Sequence, residues 1–428
     1  MGAINLSLSG YESHLTGTCF GSENRIVETS NGRASGAERC GISQRDDEGV
    51  PSRMTSQDAA VEHRGLSDAE IDAMRAFVGQ PVVIEQFNHQ AGHDVVNHYA
   101  YGIGDTNPLW LDDEYGRGGT RFGSRVAPPT FVYSIFEAEV ARGLKPGIQP
   151  LHTESHLILN RPIRVGEWVR AEASLGSVDA VMGRRSGRMA RHTSDTRYYI
   201  DGEIVARSHQ TIMCIKHDPS RGITQGVAEP TTYTEAELDK IRAEMLAEPR
   251  RGAEPRYAED VRVGDHLPAV VKGPLDLMTM IAYYTGAANA GYRGVESRVQ
   301  LAEKVKAGAP DAPTNFDAHH WVGKSPSLVH QDPAAARKIG MPGAFDNGNQ
   351  RTAWCAHCVT NWIGDDADLL ELRVRLNSAN CFGDTLWITG SVNALSADGI
   401  AELDLTGVNQ RGELTTTGTA RVRLPKRG

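Results

Sequence analysis

The sequence predicts an α+β protein made twice, each half an antiparallel sheet curled around one central helix. Three observations predict it. Internal repetition comes first: Gly166–Glu167 heads an alternating run in one half (NRPIRVGEWVRAEASL) and Gly383–Asp384 heads its like (NSANCFGDTLWITGSV) 217 residues later. Second, each half ends on two period-two runs joined by a glycine turn, TRYYIDGEIVARSHQTIMCI at Gly202 and AELDLTGVNQRGELTTTGTARVRL at Gly412, 210 residues apart. Such runs with tight turns are antiparallel strands. Third, each half holds one central helix candidate, PPTFVYSIFEAEVARG in the first and GNQRTAWCAHCVTNWIG in the second.

The bounds agree. A chain of 428 residues suits two domains with extras. A net charge of −9 and a pI near 5.9 argue against a nucleic-acid partner, which wants clustered Lys and Arg. No apolar run approaches the roughly 18 residues of a membrane span. The six cysteines are sparse and irregular, which fits a reducing cytoplasm better than a disulfide framework.

In chain order, residues 1–60 are Gly-, Ser-, Arg- and Glu-rich without periodicity and lack a signal-peptide pattern. They are expected to be a disordered tail, or an extension ahead of a start at Met54. Ser67 and Glu70 form a capping box before a helix carrying Ile71 and Met74. Thr234 and Glu237 do the same inside a charged, Pro/Gly-rich stretch that is the linker candidate. The expected organisation is therefore a tail over 1–60, a first domain over 61–216, a linker over 217–255 and a second domain over 256–428.

The segment GIGDTNPLWLDDEYGRGGTRFGSRVAPPTFV, Gly102 to Val132, resembles the N-terminal dehydratase region of MaoC-like hydratases and dehydratases. Asp105, Asn107 and Pro108 match the D-x-N-P-x-H signature of that family. In the second half LVHQDPAAARKIGMPGAFDNGNQRTAW resembles the equivalent segment, with His330 on the signature histidine and Gly348 on the glycine that opens the central helix. The resemblance covers roughly residues 80–425 and implies two fused hot-dog domains. It also implies hydration of a 2-enoyl thioester, or dehydration of a 3-hydroxyacyl thioester, with coenzyme A as part of the substrate and no other cofactor or metal. Two departures stand out: the first half has Trp110 at the histidine position, and the second has Ser325 and Ser327 at the carboxylate and amide positions.

That chemistry needs a base for water, a proton for C2 and a donor for the enolate-like oxygen. His330 suits the first task because imidazole titrates near neutrality. The backbone amide near Gly348 suits the last, since a helix N-terminus favours developing negative charge. Asp346 is the favoured replacement for the missing carboxylate, with a helix cap as its plain alternative. Asp105 with Asn107, reaching across the interface, is the other candidate set, a structural turn being their alternative. Trp110, Ser325, Asn349 and Arg351 are the candidate substrate contacts.

Weaker motifs are set aside. Cys355 and Cys358 make a C-x-x-C on an apolar helix with nothing to complete a metal site. His319 and His320 lie in an inserted segment, and GRRSGRMARHTSD reads as a hairpin tip, with coenzyme A phosphates as a further option. No Walker loop or dinucleotide fingerprint is present. A thioesterase, or a non-catalytic acyl-binding subunit, are the alternative functions. The acyl chain stays open, and a fused pair already supplies the dimer a single hot dog needs, with a dimer of fused chains compatible.

Overall fold

The computed structural model describes residues 65–427 apart from 83, 85, 119, 146, 184–185, 217–228, 288–293, 295, 298, 301–302 and 304–325. Met54–Gly428 is one compact unit. Its centre is a nine-stranded antiparallel sheet in the order β2-β3-β4-β1-β6-β9-β8-β7-β5. The first half contributes β1 (Ile148–Leu159), β2 (Arg170–Gly183), β3 (Gly187–Ile200) and β4 (Glu203–Lys216). From the second come β5 (His266–Lys272), β6 (Asp368–Leu376), β7 (Leu386–Leu395), β8 (Ile400–Asn409) and β9 (Leu414–Arg423).

The two halves repeat one topology. β1 pairs β4, β4 pairs β3 and β3 pairs β2, while β6 pairs β9, β9 pairs β8 and β8 pairs β7. Where β5 edges the second half, the described residues of the first show isolated bridges, Val78 to Leu175 and Pro81 to Ser174. Proline at such an edge ends a ladder because it has no N–H to give. The halves join where β1 lies against β6, and there Glu154 clasps Arg373 and Arg375 while His156 meets Glu371 at 2.7 Å. β2 and β3 pair antiparallel as far as Gly183 and Gly187, while residues 184–185 of the expected hairpin tip lie outside the described residues.

The helices follow their sequence signals. α1 (Asp68–Arg75) and α3 (Glu235–Leu246) both open on complete capping boxes. α2 (His93–Gly102) and α4 (Leu277–Ala287) pack on one another with reciprocal glycine contacts. A β-carbon on Gly102 would lie 2.7 Å from the Ala282 carbonyl, and one on Gly286 2.2 Å from that of His98. α5 (Gly348–Ile363) is the second half's central helix, ended by Gly364 at φ 77° as glycine permits. Trp354, Cys355, Val359 and Trp362 are buried along it, against Leu372, Val374, Ile388 and Leu403 of the sheet. Each large apolar side chain so buried stabilises by about 1.5–3 kcal/mol. Among the described residues no helix is long and apolar enough to cross a membrane.

The first half's central helix departs from expectation. Only a turn of 3-10 helix (Pro129–Phe131) and Val132–Ile135 form; Phe136 is extended and Ala138 has φ 64°. Carbonyls that a longer helix would use are taken by side chains. Asn88 Nδ2 donates to Ser134 O at 3.0 Å, and Tyr198 OH to Phe136 O at 2.6 Å. Gln210 Nε2 (3.1 Å) and Asn349 Nδ2 (3.0 Å) both donate to Glu137 O. Tertiary partners thus override a helical pattern.

Candidate active site

His330 ends a 3-10 turn, Pro326–His330, and Asp332 then caps Pro333–Lys338 by accepting from Ala334 N at 2.8 Å. Nδ1 of His330 lies 2.8 Å from the Phe345 carbonyl oxygen. A carbonyl only accepts, so Nδ1 carries the hydrogen and Nε2 keeps its lone pair in the neutral ring. The ring packs edge-on against Phe345 and is tilted towards Tyr284. Burial pulls its pKa below the ordinary imidazole value, against the opposing pull of the Phe345 carbonyl, Glu139 and Asp346. This is a neutral histidine with a base at Nε2.

Three residues beyond Phe345, Gly348 opens α5. The Asn347 side chain caps the helix by accepting from Asn349 N at 2.9 Å. Gly348's own amide, at the first helical position, has no intrahelical partner. Glycine is required here for a reason invisible in the sequence: a β-carbon would lie 2.3 Å from Nδ1 of His152, on β1 of the other half.

His152 in turn faces Glu139. Its Nδ1 is 3.2 Å from Glu139 Oε1, within ion-pair reach though off the line of a formal hydrogen bond. Its Nε2 lies 3.1 Å from the Glu154 carbonyl and 3.1 Å from Ser155 Oγ, and Ser155 Oγ accepts from Thr352 of α5 at 2.9 Å. Facing a carbonyl, Nε2 carries a hydrogen. Nδ1 and the carboxylate therefore need one more proton between them. Burial by itself would raise the Glu139 carboxyl, but His152, by contact and charge, and His330 outweigh it and hold the pKa below the ordinary value. The Glu139 side chain keeps 32% of its exposure, so solvent reaches it. Glu139 stands in the unwound stretch after Ile135, which is how the broken helix delivers a carboxylate towards His330.

Asp346 does not take that place. Both its oxygens are engaged by Arg351, Oδ2 with Nε at 2.6 Å and Oδ1 with Nη2, and Asn380 N adds a 3.2 Å bond. Arg351 Nη1 donates to the Ser378 and Thr415 carbonyls at 2.7 and 3.1 Å. The pair is fully buried and locks the start of α5 to the sheet. Asn349 is also occupied, its Oδ1 accepting from Gln210 at 2.6 Å and its Nδ2 held by Glu137 O. Arg351 and Asn349, expected to meet substrate, instead hold the two halves and the helix start. Ser325, His319 and His320 lie outside the described residues.

Asp105 and Asn107 belong to a second polar cluster. Asp105 Oδ1 accepts from Asn107 N at 3.1 Å in a local turn, and Asn107 caps Pro108–Leu111 by accepting from Leu109 N at 2.9 Å. Their neighbour is His357 of α5, whose Nε2 is 3.5 Å from Asp105 and 2.9 Å from Glu248. Lys272 Nζ sits 2.9 Å from His357 Nδ1 and donates to the Gly104 carbonyl at 2.7 Å. Burial draws the Lys272 pKa down to about 8, Glu248 and Asp105 opposing. His357 lies nine residues beyond Gly348, roughly 13 Å along a helix that rises about 1.5 Å per residue. The structure does not join Asp105 and Asn107 to His330.

The repeat explains why. The bridge Val126–Arg164 in the first half corresponds to Phe345–Cys381 in the second, an offset of 219 residues at its first member. The Gly348 position is then Pro129, preceded by Pro128. Proline has no amide hydrogen, and the indole at Trp110 is no base at neutral pH. The first half's copy thus lacks both groups. Trp110 is 4% exposed and walls a cavity of about 80 Å³ with Leu109, Phe122, Leu159 and Ile163. The C-x-x-C thiols are packed: burial pushes Cys355 up to about 12 and Cys358 higher still.

The groups missed by sequence reasoning are Glu139 and His152 at one end of α5, and His357, Glu248 and Lys272 further along. None sits in a recognisable motif: the break after Ile135 presents Glu139 and β1 presents His152, while His357, Lys272 and Glu248 come from α5, β5 and the turn after α3.

Comparison with known proteins follows the same outline. Residues 76–208 match the model of the FAS1-like, dehydratase domain region. A UPF0336 protein of Streptomyces griseus is 28% identical over 101 residues, covering 22% of this chain and 67% of that protein. Another, from Parafrankia sp., is 28% identical over 124 residues, covering 27% and 78%. A solved structure described as a MaoC-like dehydratase matches with a TM-score of 0.58 at 18% identity, covering 82% of this chain and 100% of its own. At that identity the likeness establishes fold and leaves the activity to the site.

Proposed function

We propose, from a chain that carries a FAS1-like dehydratase region in a MaoC-like double hot-dog fold, that it is a hydro-lyase acting on acyl-CoA thioesters. It adds water to a 2-enoyl thioester, or removes it from the 3-hydroxyacyl form, at one site per chain. One observation carries the reading: His330 Nδ1 is fixed on the carbonyl of Phe345, three residues before Gly348 opens α5, which leaves the Nε2 lone pair free to act as a base.

In the hydration direction Nε2 takes a proton from water as the oxygen adds to C3. Charge moves to the thioester oxygen, where the Gly348 amide and the helix dipole stabilise it. C2 takes its proton from an acid of the site, and the proton held by His330 Nε2 then restores that acid, so that water's elements end on C2 and C3. One such amide donor is worth about 10²–10³ in rate, and positioned proton transfer about 10²–10⁴.

The test is turnover of crotonyl-CoA and longer enoyl-CoA thioesters, following loss of enoyl absorbance and release of thiol together. Hydration without thiol release, abolished in His330→Ala with the fold intact, is the expected result. Thiol release without hydration makes the chain a thioesterase instead, and full activity in His330→Ala removes the base assignment.

A further inference from the structure

We propose that Glu139, supplied by the first half, is the catalytic carboxylate of the His330 site and that His152 is the residue that positions and charges it. This rests on the hydro-lyase reading above. Three observations lead to it. The family's local carboxylate position is serine, both oxygens of Asp346 are held by Arg351, and Asp105 is bound into the His357 cluster. Among the described residues Glu139 is the carboxylate that lies at the start of α5 without an arginine partner: it is 3.2 Å from Nδ1 of His152, the ring that packs against Gly348, and its charge opposes the fall of the His330 pKa. Its placement has structural provisions of its own: the break after Ile135, the φ 64° at Ala138 and the glycine that admits the His152 ring.

The proton accounting closes with these groups alone. At rest Glu139 is ionised and the proton it shares with His152 lies on the imidazole. Water adds its oxygen to C3, breaking one O–H bond, and His330 Nε2 takes that proton. The C2–H bond forms with the shared proton, which Glu139 passes on from His152. His152 becomes neutral and Glu139 stays a carboxylate. The protonated His330 then returns its proton to the pair, and the product leaves with water's elements at C2 and C3. Dehydration runs the same steps backwards. The titratable groups facing this pair are His330 from its 3-10 turn, Tyr133 from the short helix before Glu139 and Tyr283 of α4, with Asp346 beyond His330.

The break in the helix therefore has a use. A continuous helix through residues 128–143 would carry Glu139 on a helical face instead of on the extended chain beside β1. The active site is shared, with the base and amide from one half and the carboxylate and its partner from the other.

Two experiments on the full chain test this. In the first, Glu139→Gln lowers kcat for crotonyl-CoA hydration by about 10²–10³, with KM changed less than threefold, and Glu139→Asp recovers part of the loss. The acidic limb of the kcat–pH profile moves or vanishes in Glu139→Gln, which a merely structural role would not do. Unchanged kcat, or a loss explained wholly by unfolding, overturns the proposal. The second needs no turnover: ¹⁵N NMR titration of His330, assigned with His330→Gln, in wild type and Glu139→Gln. Loss of the Glu139 charge should move the His330 midpoint lower. An unmoved midpoint places Glu139 out of reach and also overturns the proposal. A chain that hydrates no thioester defeats the hydro-lyase reading and this assignment together. A chain that hydrates normally with Gln at 139 defeats this assignment alone.

Discussion

Gly348 and His152 touch across the two halves of the chain: a β-carbon on Gly348 would lie 2.3 Å from Nδ1 of the imidazole. The contact brings a helix N-terminus from one half against a proton carrier of the other. Gly348→Ala should force the ring aside, costing about 1–3 kcal/mol as overpacking does and lowering kcat at least tenfold. Urea unfolding and thioester hydration measure the two effects. Adding His152→Ala should recover most of the stability and none of the turnover; additive losses would show that the two residues do not meet.

Asp346 and Arg351 form a structural clasp. Removing one member of a buried bidentate pair typically costs about 3–5 kcal/mol. Asp346→Ala should therefore lower the unfolding midpoint strongly, while molecules that remain folded keep their kcat. A variant of wild-type stability with no activity would return Asp346 to the catalytic role expected from the sequence.

Lys272 makes stability depend on pH. Its folded pKa of about 8 lies below the ordinary 10.5, so between those values the unfolded chain binds more protons than the folded one. Stability then rises with pH across about 8 to 10.5, recovering a burial cost on the order of 3 kcal/mol at 1.36 kcal/mol per pKa unit. Urea titrations of wild type and Lys272→Met across that range should show the rise only in wild type. Equal slopes would mean that the amine is not held in the cluster of Glu248, Asp105 and His357.

The first half's copy of the site cannot be revived by one residue. Trp110→His restores the signature histidine, but Pro128 and Pro129 still offer no amide hydrogen. Hydration rates should match wild type, and His330→Ala combined with Trp110→His should stay inactive. Activity in that double variant would show that the proline pair does not disable the site.

How much of this was legible depends on how local each signal is. The capping boxes at Ser67 and Thr234, the extent of α5 and the paired strand runs around Gly202 and Gly412 follow from short-range pattern, and the structure has them. His330 and Gly348 were readable through a resemblance, and the missing histidine at Trp110 through a departure from it. Glu139 was not. Its segment has a helical pattern, and what stops the helix are Asn88, Tyr198, Gln210 and Asn349, donors up to 212 residues away. Asp346 was misjudged for a related reason: its partner Arg351 is near in sequence, but only the fold of the loop before α5 makes their forks meet.

The most direct test is a crystal structure of the chain with a bound, unreactive saturated acyl-CoA such as butyryl-CoA. The account predicts the thioester oxygen within hydrogen-bond distance of the Gly348 amide, and C3 facing Nε2 of His330 with Glu139 on the side of C2. A thioester seated instead beside Trp110, or an imidazole of His330 turned away from the acyl group, would contradict it.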